Sequence, residues 1–527
     1  MNYRCAFKQF ALLMLTLSGL LVVIGAWSLS RVIVGQDHER TAALALMLSA
    51  GIGATLGSGL WWWSRRSSAL IGRREAMLLV AMTWLLGAAM AAMPYFLWSH
   101  LGEGVGTEQP FDSYVDAYFE AMSGLTTTGA TVIADIPAVP RSLLLWRALT
   151  QWLGGLGIVV LFVAVLPSLG VGARKLYRFE ASGTDGEGMH RQIRQTARAL
   201  WLIYVGLTVM AAVLLKLAGM SAGISWFDSV AHAFTTVSTA GFSTHNASIH
   251  GMNSAWVDTI VIVFMVLGGV NFGLYYLLIR GDWRSVWRDT ELRVYLSIVV
   301  VASVVVVVFL VGRPIVSTTD ALKGEETSAA ATVGEATRYG MFQVVAHQTG
   351  TGYCTADFNP WDFVPQAMLW VLMFFGASAG STSGGIKISR LIILFKILRA
   401  EIERVFRPNV IRTIKVGRTE IDAEHRQGTL AYILGIILLF GLGAAALMVL
   451  EDGKSVKDVP VDFRTVASAS AAMLNNIGPG FGEVGAFHNY AWFSAPSKVV
   501  MSVLMALGRL ELFAIIVLSS PRFWRTD

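Results

Sequence analysis

Long apolar runs alternate with short polar connections along the whole 527-residue chain. A helix that spans a bilayer needs about 20 mostly apolar residues, and ten runs meet this requirement. Two lead the chain and eight follow as four pairs, at residues 9–34, 40–63, 74–98, 141–168, 197–219, 254–280, 292–312, 362–398, 428–450 and 496–519. The pattern therefore predicts an all-α polytopic membrane protein.

A shorter, half-apolar run of about 12 to 14 residues lies between the members of each pair. These four runs are Asp112–Leu125, Trp226–Ser238, Glu335–Gln348 and Asp462–Leu474. They are too short to span a bilayer and suit re-entrant helices. A glycine-bearing segment follows each one, and non-helical backbone at membrane depth is tolerated only where it is buried in protein or lines a water-filled cavity. We therefore expect four pore loops rather than ordinary exposed loops.

The segments after the four short runs align with one another. They read T-T-G-A-T from Thr127, T-A-G-F-S from Thr239, G-T-G-Y-C from Gly350 and N-I-G-P-G from Asn476. Their central glycines are 112, 111 and 126 residues apart, which indicates one unit occurring four times. In potassium channels, four T-V-G-Y-G loops replace the hydration shell of the ion with carbonyl oxygens. We expect this chain to supply all four loops itself.

Three residues of each loop are candidate ion ligands through their main-chain oxygens. They are Thr127, Thr128, Gly129, Thr239, Ala240, Gly241, Gly350, Thr351, Gly352, Asn476, Ile477 and Gly478. The central glycines are the strongest candidates for a K⁺ site because glycine reaches positive φ at little steric cost. A turn or close helix packing is the alternative for any single glycine. The loops diverge outside these glycines, so we expect an irregular ring and place strict discrimination against Rb⁺ or Na⁺ in doubt.

Composition and charge support a membrane protein. Charged residues make up 14% of the chain, against about 25% in soluble proteins. The net charge of +6 also fits nucleic-acid binding, but the basic residues concentrate in short loops between spans. Such loops face the cytoplasm, which puts both termini inside and the four pore loops outside. A cleaved signal peptide is the alternative for Met1–Gln36, although its apolar run of about 25 residues exceeds the usual core.

The third predicted pair contains a glycine- and serine-rich run, F-G-A-S-A-G-S-T-S-G-G-I-K, which ends at Lys387. Each glycine inside a helix costs about 1 kcal/mol relative to alanine, so the span is expected to break at mid-membrane and lie beneath the filter. A surface of small residues for helix packing is the alternative. Arg509 in the last span is expected to face a polar interior near this break. Arg147 is expected to be structural and paired with an acid of the pore-helix region.

Taken together, the motifs resemble the Trk/Ktr/HKT superfamily of potassium transporters, most closely its bacterial TrkH-type branch. The resemblance covers nearly the whole chain. It rests on Ala121–Thr131 and the segment Arg141–Ile158 after it, Ser238–Ser243, Ala379–Lys387 with A-G-S-T-S-G-G-I-K, N-N-I-G-P-G at Asn475–Gly480, and G-R-L-E at Gly508–Glu511. The resemblance implies four pseudo-repeats of helix, pore loop and helix around a central pore, with two extra N-terminal transmembrane helices.

The implied organisation assigns residues 1–70 to the extra helices. Residues 71–172, 173–282 and 283–400 form the first three repeats, 401–425 a cytoplasmic loop and 426–527 the fourth repeat. The resemblance assigns a gate to the broken helix and Arg509, with the residues Gly376, Gly380, Ser381, Thr382, Gly384, Gly385, Lys387 and Arg509. Lys387 alternatively extends towards the cytoplasmic surface.

The resemblance also implies function and partners: gated K⁺ uptake across the bacterial inner membrane, a homodimer, and a cytoplasmic, nucleotide-binding TrkA-type regulatory ring. Glycine in all four loops goes with K⁺ preference in this superfamily. A Na⁺-permeable or Na⁺-coupled relative is the alternative. No cofactor besides the transported K⁺ and no nucleic-acid partner is expected. A membrane-embedded enzyme and a non-conducting sensor are further alternatives, although the sequence shows no catalytic constellation.

Overall fold

The computed structural model describes residues 3–67, 72–102, 110–165, 188–317, 330–408, 413–417, 419–456, 459–510 and 512–524. Regular structure in these ranges is helical except for two hairpins of two-residue strands, β1 (Lys415–Val416) with β2 (Thr419–Glu420) and β3 (Ser455–Val456) with β4 (Val459–Pro460). The predicted boundaries at 70/71 and 172/173 lie outside the described residues, as does most of the basic loop between the first two repeats. The all-α fold class is confirmed.

Two N-terminal helices, α1 (Tyr3–Ile33) and α2 (Arg40–Ser64), precede the repeats and pack against each other. The turn between them carries Glu39, which is buried. Its carboxylate accepts hydrogen bonds from Ser28 at 3.0 Å and from Ser142 at 2.5 Å. Because Ser142 lies in the first repeat, this buried acid joins the extra pair to the pore-forming part of the chain.

The four repeats follow in order, each with an outer helix, a short pore helix and an inner helix, and in the described residues this inner helix is interrupted in the second, third and fourth repeats. The first contains α3 (Arg73–Leu101), α4 (Tyr114–Leu125) and α5 (Arg141–Val165). The second contains α6 (Gly188–Ala218), α7 (Trp226–Val237), α8 (Ala255–Gly268), α9 (Phe272–Ile279) and α10 (Trp283–Arg288). The third contains α11 (Thr290–Leu310), α12 (Val333–Gln348), α13 (Phe363–Phe374) and α14 (Ile388–Phe406). The fourth contains α15 (Ala423–Leu450), α16 (Phe463–Leu474), α17 (Ala495–Arg509), α18 (Phe513–Ile516) and α19 (Pro521–Trp524).

The pore helices α4, α7, α12 and α16 begin at side chains that cap their free amides. Ser113 accepts from Val115 N at 3.1 Å, and Asp462 accepts from Thr465 N at 2.8 Å. Thr332 and Glu335 form a reciprocal capping box at the start of α12. Ser, Thr and Asp at this position satisfy donors that the helix itself leaves free. Local sequence therefore sets where each pore helix starts, and each one ends where its filter loop begins.

Six described helices are long and apolar enough to cross a membrane: α1, α2, α3, α6, α11 and α15. The predicted single span 254–280 is wrong as a continuous helix, because α8 and α9 meet at an angle of 92°. An added Cβ at Gly269 would lie 2.5 Å from the hydroxyl of Tyr295. The chain at the bend therefore packs too closely against Tyr295 for a residue larger than glycine. The predicted span 496–519 is also interrupted, since α17 ends at Arg509 and Leu512 takes a φ of 61°.

Candidate functional site

The four filter loops share one backbone conformation. Their first residues all have positive φ: 55° at Thr127, 49° at Thr239, 69° at Gly350 and 54° at Asn476. Their central glycines do too: 84° at Gly129, 82° at Gly241, 70° at Gly352 and 95° at Gly478. Positive φ is uncommon for residues other than glycine, so three such residues in one column show that the surrounding structure imposes the loop. Sequence reasoning assigned positive φ only to the glycines.

The loops close into a ring in chain order. An added Cβ at each central glycine would collide with the main-chain oxygen of the second residue in the next loop. The distances are 2.4 Å from Gly129 to Ala240 O, 1.9 Å from Gly241 to Thr351 O, 1.7 Å from Gly352 to Ile477 O and 2.7 Å from Gly478 to Thr128 O. Each glycine is therefore required by its neighbour's carbonyl as well as by its own φ. The twelve predicted filter residues lie together around one axis.

An open cavity of about 120 Å³ lies on one side of the ring, and all four central glycines line it. Tyr490, His488 and His245 also contribute to its wall. Burial lowers the pKa of the His245 imidazole, although the nearby Asp228 carboxylate acts in the opposite direction. His245 is therefore neutral near pH 7, and it adds no positive charge to this cavity, which we call the vestibule.

A buried ion pair supports the first two filter loops by contacting their last residues. Arg147 Nε lies 2.6 Å from Glu120 Oε1, and both side chains are at most 3% exposed. The guanidinium also donates to Ser243 O at 2.8 Å and lies 3.6 Å from the centre of the Phe242 ring. Glu120 in turn accepts from the Thr131 hydroxyl at 3.0 Å. The predicted pairing of Arg147 with an acid of the pore-helix region is confirmed.

The loop between α13 and α14, residues 375–387, lies against the filter. Its two ends are held together because Gly376 N donates to Ile386 O at 3.0 Å. The Thr382 hydroxyl lies 3.0 Å from that of Thr239 in the second filter loop. An added Cβ at Gly384 would lie 2.5 Å from Asn475 O at the end of α16. The seven predicted gate residues of the third repeat all lie in this loop, which we call the inner loop.

Arg509 connects the inner loop to two other repeats. Its Nη1 donates to Thr382 O at 2.7 Å, and its Nη2 donates to Gly154 O at 3.0 Å. The side chain is buried, as a charge with polar partners inside a membrane protein should be. The Lys387 ammonium donates to Ser383 O, so it folds back on the inner loop. The structure thus brings Arg509 and the predicted gate residues together.

The break between α8 and α9 is bonded to the inner loop, which sequence reasoning missed. Ser378 N donates to Gly269 O at 3.1 Å, and Phe272 N donates to Gly380 O at 3.2 Å. The pair Gly268-Gly269 inside a predicted span was the available signal. The interrupted inner helices of the second and third repeats therefore form one bonded unit.

Three further side chains were missed at the site. Glu291 Oε1 accepts from Ala379 N at 2.7 Å and from Ser389 N at 2.9 Å, so one carboxylate holds the inner loop to the first turn of α14. Gln151 and Tyr490 hydrogen-bond main-chain oxygens of the second and fourth filter loops. An acid at the start of an apolar span was a signal for Glu291. Gln151 and Tyr490 lie outside every filter motif.

No group of three or more His, Cys, Asp or Glu side chains able to hold a metal ion occurs among the described residues. The main-chain oxygens of the ring are neutral, hard ligands of the kind that replaces the water around K⁺. The pore helices end at the ring, and the carboxyl end of a helix carries partial negative charge. The arrangement is suited to a dehydrated monovalent cation as cargo.

The sequence model of the TrkH family, described as cation transport protein, matches residues 46–526. The Trk system potassium uptake protein TrkH of Escherichia coli (strain K12) is 34% identical over 527 residues and the whole of both chains. TrkH of Halomonas elongata is 35% identical, covering 91% of this chain and 92% of that protein. The crystal structure of the potassium transporter TrkH from Vibrio parahaemolyticus superposes with a TM-score of 0.82 at 29% identity, covering all of both chains.

Proposed function

This chain belongs to the TrkH family of cation transport proteins, and on that premise we propose that it conducts K⁺ into the cell. Members of this family are transporters, so the membrane-embedded enzyme is set aside. K⁺ moves down its electrochemical gradient, and an inside-negative potential contributes about 2.3 kcal/mol per charge for each 100 mV.

The closed ring of filter loops is the observation that carries the proposal. Each central glycine leaves room for the carbonyl of the following loop, so oxygens of all four repeats surround one axis. Such a ring replaces the hydration shell of K⁺ at tolerable cost. The first residue of each loop has the same left-handed backbone conformation, at Thr127, Thr239, Gly350 and Asn476. This supports equivalent roles for the four loops despite their divergent side chains.

The inner loop and Arg509 form the proposed gate. The inner loop contacts the second filter loop through Thr382, and the buried guanidinium adds a positive charge beside it. A cation approaching that charge in a poorly solvated interior meets strong repulsion. Conduction therefore requires the inner loop and Arg509 to move together away from the axis.

The assembly is part of the proposal. The curated relatives are named as members of a Trk system, which supports further subunits. We propose a homodimer in the bacterial inner membrane, with both termini in the cytoplasm and a nucleotide-binding TrkA-type ring controlling the gate.

Ion flux into vesicles that contain the purified chain tests the function. We expect K⁺ uptake above that of protein-free vesicles, lower Na⁺ uptake, and increased Na⁺ passage in Gly241→Ser, whose side chain would enter the space of Thr351 O. Equal uptake of both ions by the wild type would favour the Na⁺-permeable alternative. No uptake of either ion, with no rescue of a K⁺-uptake-deficient strain, would overturn transport in favour of the sensor.

A further inference from the structure

The loops on the two diagonals of the ring are supported differently. In the first and third loops, the second residue is a threonine whose hydroxyl lies 2.7 Å from that of a threonine two residues earlier: Thr126 with Thr128, and Thr349 with Thr351. The second and fourth loops have Ala240 and Ile477 at this position, which carry no hydroxyl. These two loops lie opposite each other, because the ring follows chain order.

The second loop is held by a side chain from the first repeat. Gln151 on α5 is completely buried. Its Nε2 donates to Ala240 O at 2.7 Å, and its Oε1 accepts from Phe242 N at 3.0 Å. The two bonds fix the orientation of the amide, since a carbonyl accepts only from the nitrogen end. Gln151 therefore clamps the backbone on both sides of Gly241.

The fourth loop is held from the vestibule. The Tyr490 hydroxyl donates to Gly478 O at 2.7 Å, and the main-chain nitrogen of Tyr490 donates to Thr131 O at 2.8 Å. The ring of Tyr490 is buried and lies 5.8 Å from that of Phe119. Tyr490 therefore ties a carbonyl of the fourth loop to the end of the first.

We propose that Gln151 and Tyr490 are selectivity-determining residues of the filter; this inference rests on the proposed function. A carbonyl oxygen has two lone pairs, so one hydrogen bond leaves it able to bind an ion but restrains its position. A smaller ion such as Na⁺ is bound well only if the oxygens move inward. The Gln151 and Tyr490 hydrogen bonds oppose that movement at Ala240 O and Gly478 O. Both residues are positioning residues that act through the backbone, and they favour K⁺ over Na⁺.

Three variants and one control test the proposal in vesicles of the full chain. Gln151→Met removes both hydrogen bonds of the side-chain amide. Tyr490→Phe removes the hydroxyl and keeps the aromatic ring. Gln151→Leu also removes both hydrogen bonds with a side chain of different shape, and it serves if the methionine variant does not fold. The control is Tyr118→Phe, because the Tyr118 hydroxyl also donates to a main-chain oxygen, Leu85 O at 3.2 Å, in the outer helix α3.

The readout is the ratio of K⁺ to Na⁺ permeability, measured on variants that elute and melt like the wild type. Loss of either tether is expected to lower the ratio roughly fivefold, the factor that about 1 kcal/mol for one hydrogen bond gives, while K⁺ flux persists. Tyr118→Phe is expected to keep the wild-type ratio. A wild-type chain that passes no K⁺ would overturn the proposed function itself. Folded tether variants with the wild-type ratio, or with no flux at all, would overturn only this inference.

Discussion

Arg509 Nη1 lies 2.7 Å from the main-chain oxygen of Thr382, and this bond joins α17 of the fourth repeat to the inner loop of the third. The second nitrogen of the guanidinium binds Gly154 O of the first repeat at 3.0 Å. One side chain thus holds three repeats together beside the filter. Because Arg509 is bonded to the inner loop, the guanidinium charge and the inner loop are expected to move together.

Arg509→Gln should increase K⁺ flux in vesicles that lack any regulatory partner. The substitution removes the buried charge and weakens both carbonyl contacts, and hydrogen bonds of charged groups contribute about 1.5–3 kcal/mol each. We therefore expect flux to rise about tenfold or more. K⁺ flux through Arg509→Lys, which keeps the charge, should rise much less. Equal flux in the wild type and Arg509→Gln would rule out a role in gating.

Gly352→Ala should abolish K⁺ flux, whereas Gly281→Ala should not. The two glycines share a left-handed backbone, with φ of 70° and 82°. A Cβ at Gly352 would lie 1.7 Å from Ile477 O, but a Cβ at Gly281 has nothing within 4 Å. Gly281→Ala then costs only the left-handed conformation, about 1–2 kcal/mol of stability. Flux and thermal melting of both variants separate the two effects, and equal loss of flux would contradict the ring geometry.

Glu120→Gln should destabilise the protein strongly. Removal of the carboxylate leaves the Arg147 charge buried without its ionic partner, and breaking such a pair costs about 3–5 kcal/mol. Thermal unfolding in detergent should show a large drop in melting temperature. The double variant Glu120→Gln, Arg147→Met should recover part of it, because no unpaired charge remains. A melting temperature unchanged in the single variant would show that the ion pair contributes little.

Glu291→Ala should loosen the inner loop. The substitution removes the acceptor for two main-chain amides, Ala379 N and Ser389 N. A cysteine placed at the buried Ser381, in a chain whose two native cysteines are replaced by serine, should react with a water-soluble thiol reagent about tenfold faster or more. Glu401→Ala is the control, since Glu401 pairs with Arg404 on an exposed surface. Equal labelling rates in all three proteins would exclude a role for Glu291 in holding the inner loop.

K⁺ flux should fall when the vestibule side is acidified well below pH 6.5. Burial depresses the pKa of His245, so this imidazole is neutral above the usual value of about 6.5 and becomes charged only at lower pH. The positive charge then repels K⁺ at the vestibule wall. The same depressed pKa makes acid favour unfolding, because the unfolded chain binds the proton more readily. His245→Gln should reduce the fall in flux, and an identical pH profile in this variant would assign it to other groups.

The repeat pattern was predictable from the sequence because it depends on local properties. Apolar run length sets the spans, and capping residues such as Ser113 and Thr332 set the pore-helix starts. The central glycines stood out because few residues tolerate their φ. The break before α14 followed from helix propensity. In contrast, the break at Gly269 depends on contact with Tyr295 and the inner loop, so its glycines alone were not decisive.

By itself, the sequence determined the helical membrane class, the fourfold repeat and the position of each filter loop, since all three follow from hydropathy, propensity and spacing along the chain. Tertiary structure alone decided which residues support those loops and the inner loop. Gln151, Tyr490 and Glu291 lie far along the chain from the backbone groups they hold or outside every motif. Their roles exist only because folding brings single donors and acceptors within hydrogen-bond distance of particular carbonyls and amides, and a linear pattern does not encode that distance.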